Sequence, residues 1–473
     1  MGIRVRAAVA AAAILASGAP LHAQNRIQVP YEQFTLPNGL RVILHRDATT
    51  PTIATNVWYH VGSAHERPGR TGFAHLFEHI MFEGSENVPE GKIDEWFEEV
   101  GGSPNGSTSR DRTNYMQSFS SNALDLALYI ESDRMGYQLP AMSPASVDGQ
   151  RDVVKNERRQ SYDNRPYGLA SQLITEELYP ATHPYSWPVI GYMDHLSAAA
   201  YDDVVNFFRT YYAPNNATLA IAGDIDVDEA RALAEKWFAD VPRGQPVPDI
   251  AAQPPALNEN RRIMLEDRVQ LPRLYMTWVS APAYKEGDAE LTALARLLAG
   301  GRNSRLYKRL VYDLQIADDV SAYQGGGKVG GEFQVAATAR SGHSLEELER
   351  VILEEIEKVK AEAPESREVE RIVNQYEASF LEGLELVSAK ADQLNEYLFY
   401  TGTPDYFNQD IERFRRLRPQ DLSGAARTYL DPDRRVTLSV VPRGRTELAI
   451  PGSRAIPAEG LELSPSARKK PTT

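Results

Sequence analysis

The chain of 473 residues contains no cysteine. That excludes disulfide-stapled scaffolds, thiol catalysis, zinc fingers and cysteine-ligated iron–sulfur clusters, so any metal must be held by His, Asp or Glu. A basic surplus is missing too. There are 51 Lys and Arg against 65 Asp and Glu, a formal net charge of −14. Nucleic-acid binders carry a basic face that neutralises phosphates, so this balance argues against that class. Long apolar runs are also scarce. The uninterrupted run at residues 7–16 is too short to span a bilayer, and no later segment is long enough. What remains is an ordinary globular composition, 42% hydrophobic and 25% charged. At roughly 150 residues per domain, the length suits two to three domains, each with its own core.

The early apolar run has the layout of an export leader. Arg4 and Arg6 precede it, Ser17, Gly18 and Pro20 break it, and Leu21-His22-Ala23 ends on a small residue. The expectation is a signal peptide over residues 1–23 and an exported protein, periplasmic or extracellular, with no membrane anchor. No Cys follows the run, so lipoprotein attachment is excluded. Processing would leave 49 basic against 65 acidic residues, a net charge of −16.

A weak internal repeat organises the rest. His45-Arg46-Asp47 leads through Pro51 to the alternating run 53–59, and Glu266-Asp267-Arg268 leads through Pro272 to the run 274–279. Arg209-Thr210-Tyr211, Pro214 and the strand-like 218–221 are echoed by Arg427-Thr428-Tyr429, Pro432 and 437–440. The offsets, 221 residues and 218 to 219, nearly agree, which favours duplication over coincidence. Between the halves, residues 241–260 carry five prolines and read as an extended linker. Helical spacing marks 122–139 and 345–361, the latter capped by Ser344. Strands mixed irregularly with helices indicate an α+β fold. The predicted organisation is a first domain at 24–240, the linker at 241–260, a homologous second domain at 261–450, and a frayed tail at 451–473.

The stretch His75-Leu76-Phe77-Glu78-His79 carries the chemistry. His75 and His79 are i and i+4 on one helix, so both imidazoles project from one face and bind one ion. Glu78 lies beside that face, placed to take a proton from a water activated by the ion without displacing a ligand. The pattern inverts the common H-E-x-x-H motif. Composition alone predicts at most about 0.02 such matches in a chain of this length, so two unrelated structural histidines are a weak alternative. Catalytic zinc needs a third protein ligand. The helical stretch 150–160 offers one, but spacing gives no reason to prefer Glu157 to Asp152.

H-L-F-E-H followed by Phe82-Glu83-Gly84-Ser85 resembles the pitrilysin/insulin-degrading-enzyme family of zinc metallopeptidases, which includes the β subunit of mitochondrial processing peptidase and bacterial secreted peptidases. Gly62-Ser63, Glu66, Gly101-Gly102, Asn105, Thr108, Thr113 and Tyr115 fit the same pattern. So do Val153-Val154-Lys155-Asn156-Glu157-Arg158-Arg159, Asp163-Asn164-Arg165-Pro166, His183-Pro184-Tyr185, Val189-Ile190-Gly191 and Gly223-Asp224. The resemblance implies that Glu157 is the third ligand and that one Zn²⁺ is bound per chain. It further implies two homologous α+β domains, each an antiparallel sheet backed by helices. Two such chains, or one doubled chain, would close around a peptide. The strand near Asn105 to Ser109 would pair with the substrate backbone, which makes Asn105 and Thr108 substrate-binding candidates; ordinary turn and strand chemistry is their other reading.

Two departures stand out. Gln150 occupies a position where many relatives carry a Glu that supports the metal ligands from behind, and an amide supplies no charge there. Val311 and Asp318 stand where a complete family site has an Arg and a Tyr that stabilise the developing oxyanion. The expectation is a zinc metalloendopeptidase of oligopeptides or unfolded polypeptides, with Glu78 as general base and acid. The chain would be the zinc-bearing half of a heterodimer whose paralogous partner supplies the Arg/Tyr pair, or else a homodimer. The alternative is a catalytically silent assembly or peptide-binding subunit. Gly325, Gly326, Gly327, Gly330 and Gly331 lack the context of a phosphate loop and read as a flexible hairpin connection, with a substrate-handling loop as the other reading.

Overall fold

Among the described residues there are twelve strands: β1 (Glu32–Thr35), β2 (Arg41–Arg46), β3 (Thr52–Tyr59), β4 (Ser103–Thr108), β5 (Thr113–Ser120), β6 (Ala217–Gly223), β7 (Arg261–Asp267), β8 (Arg273–Ser280), β9 (Ala317–Gly326), β10 (Gly331–Ala339), β11 (Val436–Pro442) and β12 (Arg454–Ile456). They belong to a computed structural model that describes residues 26–250 and 255–468. The expected leader, residues 1–23, lies outside the described residues. Among the described residues, no helix is long and apolar enough to cross a membrane.

The strands make two six-stranded sheets, ordered β1-β2-β6-β3-β5-β4 and β12-β7-β11-β8-β10-β9. The internal strands correspond one to one, and β3 and β8 are displaced by the expected 221 residues. The duplication is therefore structural. The sheets are mixed, however, where all-antiparallel sheets were expected. β2 runs parallel to β6, β7 runs parallel to β11, and β12 runs parallel to β7. Each of the first two pairs is closed by a long excursion through helices, and such a crossover returns the chain in the same direction where a hairpin reverses it.

The halves are more interwoven than two successive domains. On one face of the first sheet, Val42, Leu44, Val57, Leu219 and Ile221 pack against helices of the same half. On the other face, Ile43, Ala54, Ala220 and Ala222 meet Val387, Ala391, Leu394 and Leu398, from helix Val387–Thr401 of the second half. The reverse also holds. Leu173, Ile174 and Leu178 of helix Ala170–Leu178 cover Ile263, Leu265, Leu438 and Val440 of the second sheet. Each half thus lends one helix to the other's sheet, and both faces of both sheets are apolar for that reason. Polar bonds fix the exchange: Asp392 accepts from Asn56 Nδ2 at 2.8 Å and from Trp58 Nε1 at 2.9 Å.

Lys390 of the same helix forms a close ion pair with Asp47 of the first half. That hydrogen bond holds the Asp47 carboxyl down to about 2 from an ordinary value near 3.8. A depressed acid contributes stability above its unfolded pKa and loses it as pH falls through the folded one. Lys390→Met is therefore expected to lower the thermal midpoint by about 2 °C at neutral pH. The gap from the parent should close between pH 4 and pH 2, which thermal melts across that range measure.

Two expectations of looseness are corrected. The segment after Pro451 does not fray over its described part. Arg454–Ile456 adds β12 to the second sheet, and Leu461 is buried against the first half. Arg468 grips Glu176 through two bonds of 2.7 Å, and Ser464 bonds Asp194. Its Pro, Ser and Gly content forbids a regular period, but single side chains anchor it. The glycine-rich hairpin is a β9–β10 turn as expected, yet it is pinned. The Lys328 N–H donates to Asp111 Oδ2 at 2.8 Å. A Cβ at Gly327 would lie 2.5 Å from Tyr185 Oη and 2.9 Å from that same carboxylate. Only glycine allows so close an approach, so these residues serve docking between the halves.

Candidate metal centre

The motif lies on helix Phe73–Ile80. Phe73, Leu76, Phe77 and Ile80 are buried on one side, leaving His75, Glu78 and His79 on the other. Its start is built tightly. Gly72 has φ 89°, and a Cβ there would lie 2.8 Å from Ile190 O and 3.0 Å from Gly191 Cα. Glu66, itself buried, accepts the N–H groups of Gly72 at 3.0 Å and Ala74 at 2.9 Å, capping the otherwise orphan donors of the first turn. Burial pushes the Glu66 carboxyl up to about 8, against the pull of those backbone donors.

Helix Pro144–Arg158 brings the third candidate. It opens on Ser143, whose Oγ accepts the Ser146 N–H at 3.1 Å, with Pro144 in the first position. Near its end Arg158 is completely buried, donating to Gly191 O at 2.7 Å, Gln172 Oε1 at 2.7 Å and Leu461 O at 3.2 Å. Glu157, one residue earlier, emerges toward the histidines. Gly191 touches the start of one helix and accepts from the end of the other, so it sets their spacing. Asp152, which spacing alone could not separate from Glu157, pairs with Lys155 in solvent.

His75, His79 and Glu157 offer three ligand atoms within 4.8 Å of one another. Glu157 Oε2 is 3.2 Å from His79 Nε2 and 3.6 Å from His75 Nε2. Donors about 2.0–2.1 Å from a tetrahedral ion lie about 3.4 Å apart, so these separations fit one ion such as Zn²⁺. The protonation states fit as well. The hydrogen bond with His79 holds Glu157 below the usual carboxylate range, and burial pushes His75 down to about 4. An ionised carboxylate and a neutral imidazole are the forms that bind metal. The His75 Nδ1 atom is buried without a partner, so the other ring nitrogen faces the centre unsupported from behind.

Glu78 stands beside these donors, held by the edge strand. Thr108 Oγ1 donates to Glu78 Oε2 at 2.6 Å. A Cβ at Gly106 would lie 3.0 Å from Glu78 Cγ and 3.1 Å from the Phe82 ring. Burial raises the Glu78 carboxyl, and the Thr108 bond opposes that rise. Thr108 therefore touches the proposed base in this structure, and Asn105 Oδ1 accepts its neighbour's Gly106 N–H at 2.9 Å. Gln150 donates to Glu83 rather than to a metal-ligand candidate. Val311 lies in the helical turn Tyr307–Asp313, and Asp318 pairs with Arg340 in solvent; neither stands in for an Arg or a Tyr. Thr108→Val, which removes the bond to Glu78, and Gly106→Ala, whose Cβ would press on Glu78 and on the Phe82 ring, are each expected to lower kcat about tenfold or more with metal content unchanged, since neither touches a metal-ligand candidate. Peptide cleavage and elemental analysis on the same preparation check this.

Sequence reasoning missed the roles of Glu66, Gly106, Arg158 and Gly191. A polar residue or a glycine carries no sequence signal of which helix end it will meet. The resemblance pointed at Glu66, Arg158 and Gly191 but gave no physical reason for any of them.

An inverted H-x-x-E-H helix facing a glutamate on a second helix, in a duplicated α+β chain, is the arrangement of a zinc-peptidase class. Comparison with known proteins agrees. The insulinase (peptidase family M16) profile matches residues 41–184, and the peptidase M16 inactive domain profile matches residues 198–376. The chain belongs to the M16 peptidase family. The zinc protease PqqE of Helicobacter pylori is 29% identical over 435 residues, covering 90% of this chain and 96% of its own. A protease structure from Helicobacter pylori superposes with TM-score 0.83 at 27% identity, covering 88% of this chain and all of the other. The periplasmic protease PqqL of Escherichia coli shares the fold, with TM-score 0.74 at 19% identity; 92% of this chain matches 50% of that one.

Proposed function

We propose that the chain is an active zinc metalloendopeptidase of oligopeptides or unfolded polypeptides. The observation that carries this is the convergence of His75, His79 and Glu157 beside a Glu78 held by Thr108. The match to an inactive domain falls on residues 198–376, which contain none of these four residues, whereas the insulinase match at 41–184 contains all of them. A second half without metal ligands is thus compatible with an active first half.

His75, His79 and Glu157 would hold a divalent ion such as Zn²⁺, which when bound would supply Lewis-acid activation of water and of the scissile carbonyl. Glu78 takes the proton of the attacking water on Oε1, while Thr108 holds Oε2, and returns it to the leaving amine nitrogen. The raised Glu78 carboxyl suits both directions of that transfer. β4 is an edge strand, and it passes Glu78 at Gly106, so an extended peptide pairing with it would bring its backbone to the base.

The reading includes export and pairing. Residues 1–23 support export, tested by the mass of the chain recovered outside the cytoplasm, which should begin at Gln24. Val311 and Asp318 support a partner that supplies an Arg/Tyr pair, and PqqL, twice the matched length, shows that this fold also occurs within a longer chain. A chain alone would then bind metal and cleave a quenched peptide slowly, and a paralogous partner would raise the rate. Full activity from the single purified chain overturns the pairing and leaves the zinc reading intact. A chain that binds zinc yet cleaves nothing with any partner supports the silent-subunit alternative.

A further inference from the structure

At the junction of the two halves lies a cavity of ≈ 210 Å³ that none of the metal-ligand candidates lines. Arg41 opens β2 into it, His60 follows β3, and His65 lies on the turn beyond. Lys328 enters from the β9–β10 turn of the second half, and the interdomain linker at 247–250 closes one side. The charges do not balance. Among the described residues, Arg41 has no carboxylate within ion-pair distance; its guanidinium meets only the His60 ring, 3.3 Å from Nδ1. Lys328 Nζ has one acidic neighbour, Asp249, at 3.8 Å, whose side chain is fully exposed on the linker. Burial, with Arg41, Lys328 and His65 nearby, presses His60 down to about 3, and burial takes His65 down to about 4.

Cations from two halves therefore face one polar cavity in a protein of net charge −14, and the one carboxylate lining it among the described residues, Asp249, sits on the exposed linker beside Lys328 and does not reach Arg41. Gathering like charges in a partly desolvated space is unfavourable unless something of opposite sign completes it. We propose that this cavity binds a small oxyanion, a phosphate, sulfate or carboxylate group, between Arg41 of the first half and Lys328 of the second. Arg41 presents a planar fork and Lys328 a point charge, the usual pair for such a group. The bound anion ties the hairpin turn to the first half. It is a site distinct from the hydrolytic centre, and neither cation belongs to that machinery.

The test uses the full chain dialysed into chloride. Inorganic phosphate is then titrated at constant ionic strength, followed by calorimetry and by the thermal midpoint. Saturable binding with a rising midpoint is expected, weakened at least tenfold in R41Q and in K328Q, while peptide cleavage by both variants stays at the parental rate. A blocked tetrapeptide with a free C-terminal carboxylate, compared with its amide, distinguishes a peptide end from a free inorganic ion as the source. K328Q alters a turn residue, so it carries the test if R41Q does not fold. No saturable binding of phosphate or of the peptide carboxylate, or equal binding in parent and K328Q, overturns the proposal.

Discussion

Glu78→Gln is expected to abolish peptide hydrolysis, by about 10³-fold or more in kcat, with metal content at the parental level. The magnitude is that of a positioned acid–base group, typically 10²–10⁴-fold, with the upper part expected where one residue serves both proton transfers. The substitution keeps shape and volume, and the Thr108 hydroxyl that donates to Glu78 Oε2 at 2.6 Å can donate to an amide oxygen equally well. His75, His79 and Glu157 are untouched, so metal content should match the parent by elemental analysis. Hydrolysis retained at more than a few percent would mean that another group carries the proton.

His79→Ala is expected to remove the metal itself. Losing a supporting outer-shell partner typically costs 10–100-fold in metal affinity, and losing one of three protein ligands costs more. His79 is closest to Glu157 of the two imidazoles, so its loss also removes the group that holds the carboxylate in place. The fold should survive. His79 lies on the partly open side of its helix, opposite Leu76, Phe77 and Ile80, which are fully or almost fully buried. The expected outcome is a chain that melts like the metal-free parent but gains nothing from zinc. The parent gains about 2.7 kcal/mol at a free concentration one hundred times Kd. Melting curves with and without zinc read this directly; an equal gain in both proteins would place the ion elsewhere.

The helix that holds the motif was legible because its spacing is short-range: two histidines at i and i+4 share a face whatever the tertiary fold. The duplication was legible because β3 and β8 begin after prolines 221 residues apart. The third candidate, Glu157, was legible only through the family resemblance and not from spacing, since which of Glu157 and Asp152 faces the other helix is set by the buried Arg158 and by Gly191. The exchange of helices Ala170–Leu178 and Val387–Thr401 was hidden for a related reason. An amphipathic helix records that it covers a sheet, and leaves open which one. The mixed strand directions and the anchored C-terminal segment likewise depend on long-range contacts, Leu461 and Arg468 among them, that no local pattern encodes.

A metal titration decides the matter. The full chain is stripped with a chelator and zinc is returned stepwise, with cleavage of a quenched peptide followed in the presence of whatever partner it requires. Activity should be absent in the stripped chain, rise linearly, and break at one equivalent per chain, with no recovery in His79→Ala. Cleavage that persists in the stripped chain, or a break that is unchanged in His79→Ala, would contradict a single centre built from His75, His79 and Glu157.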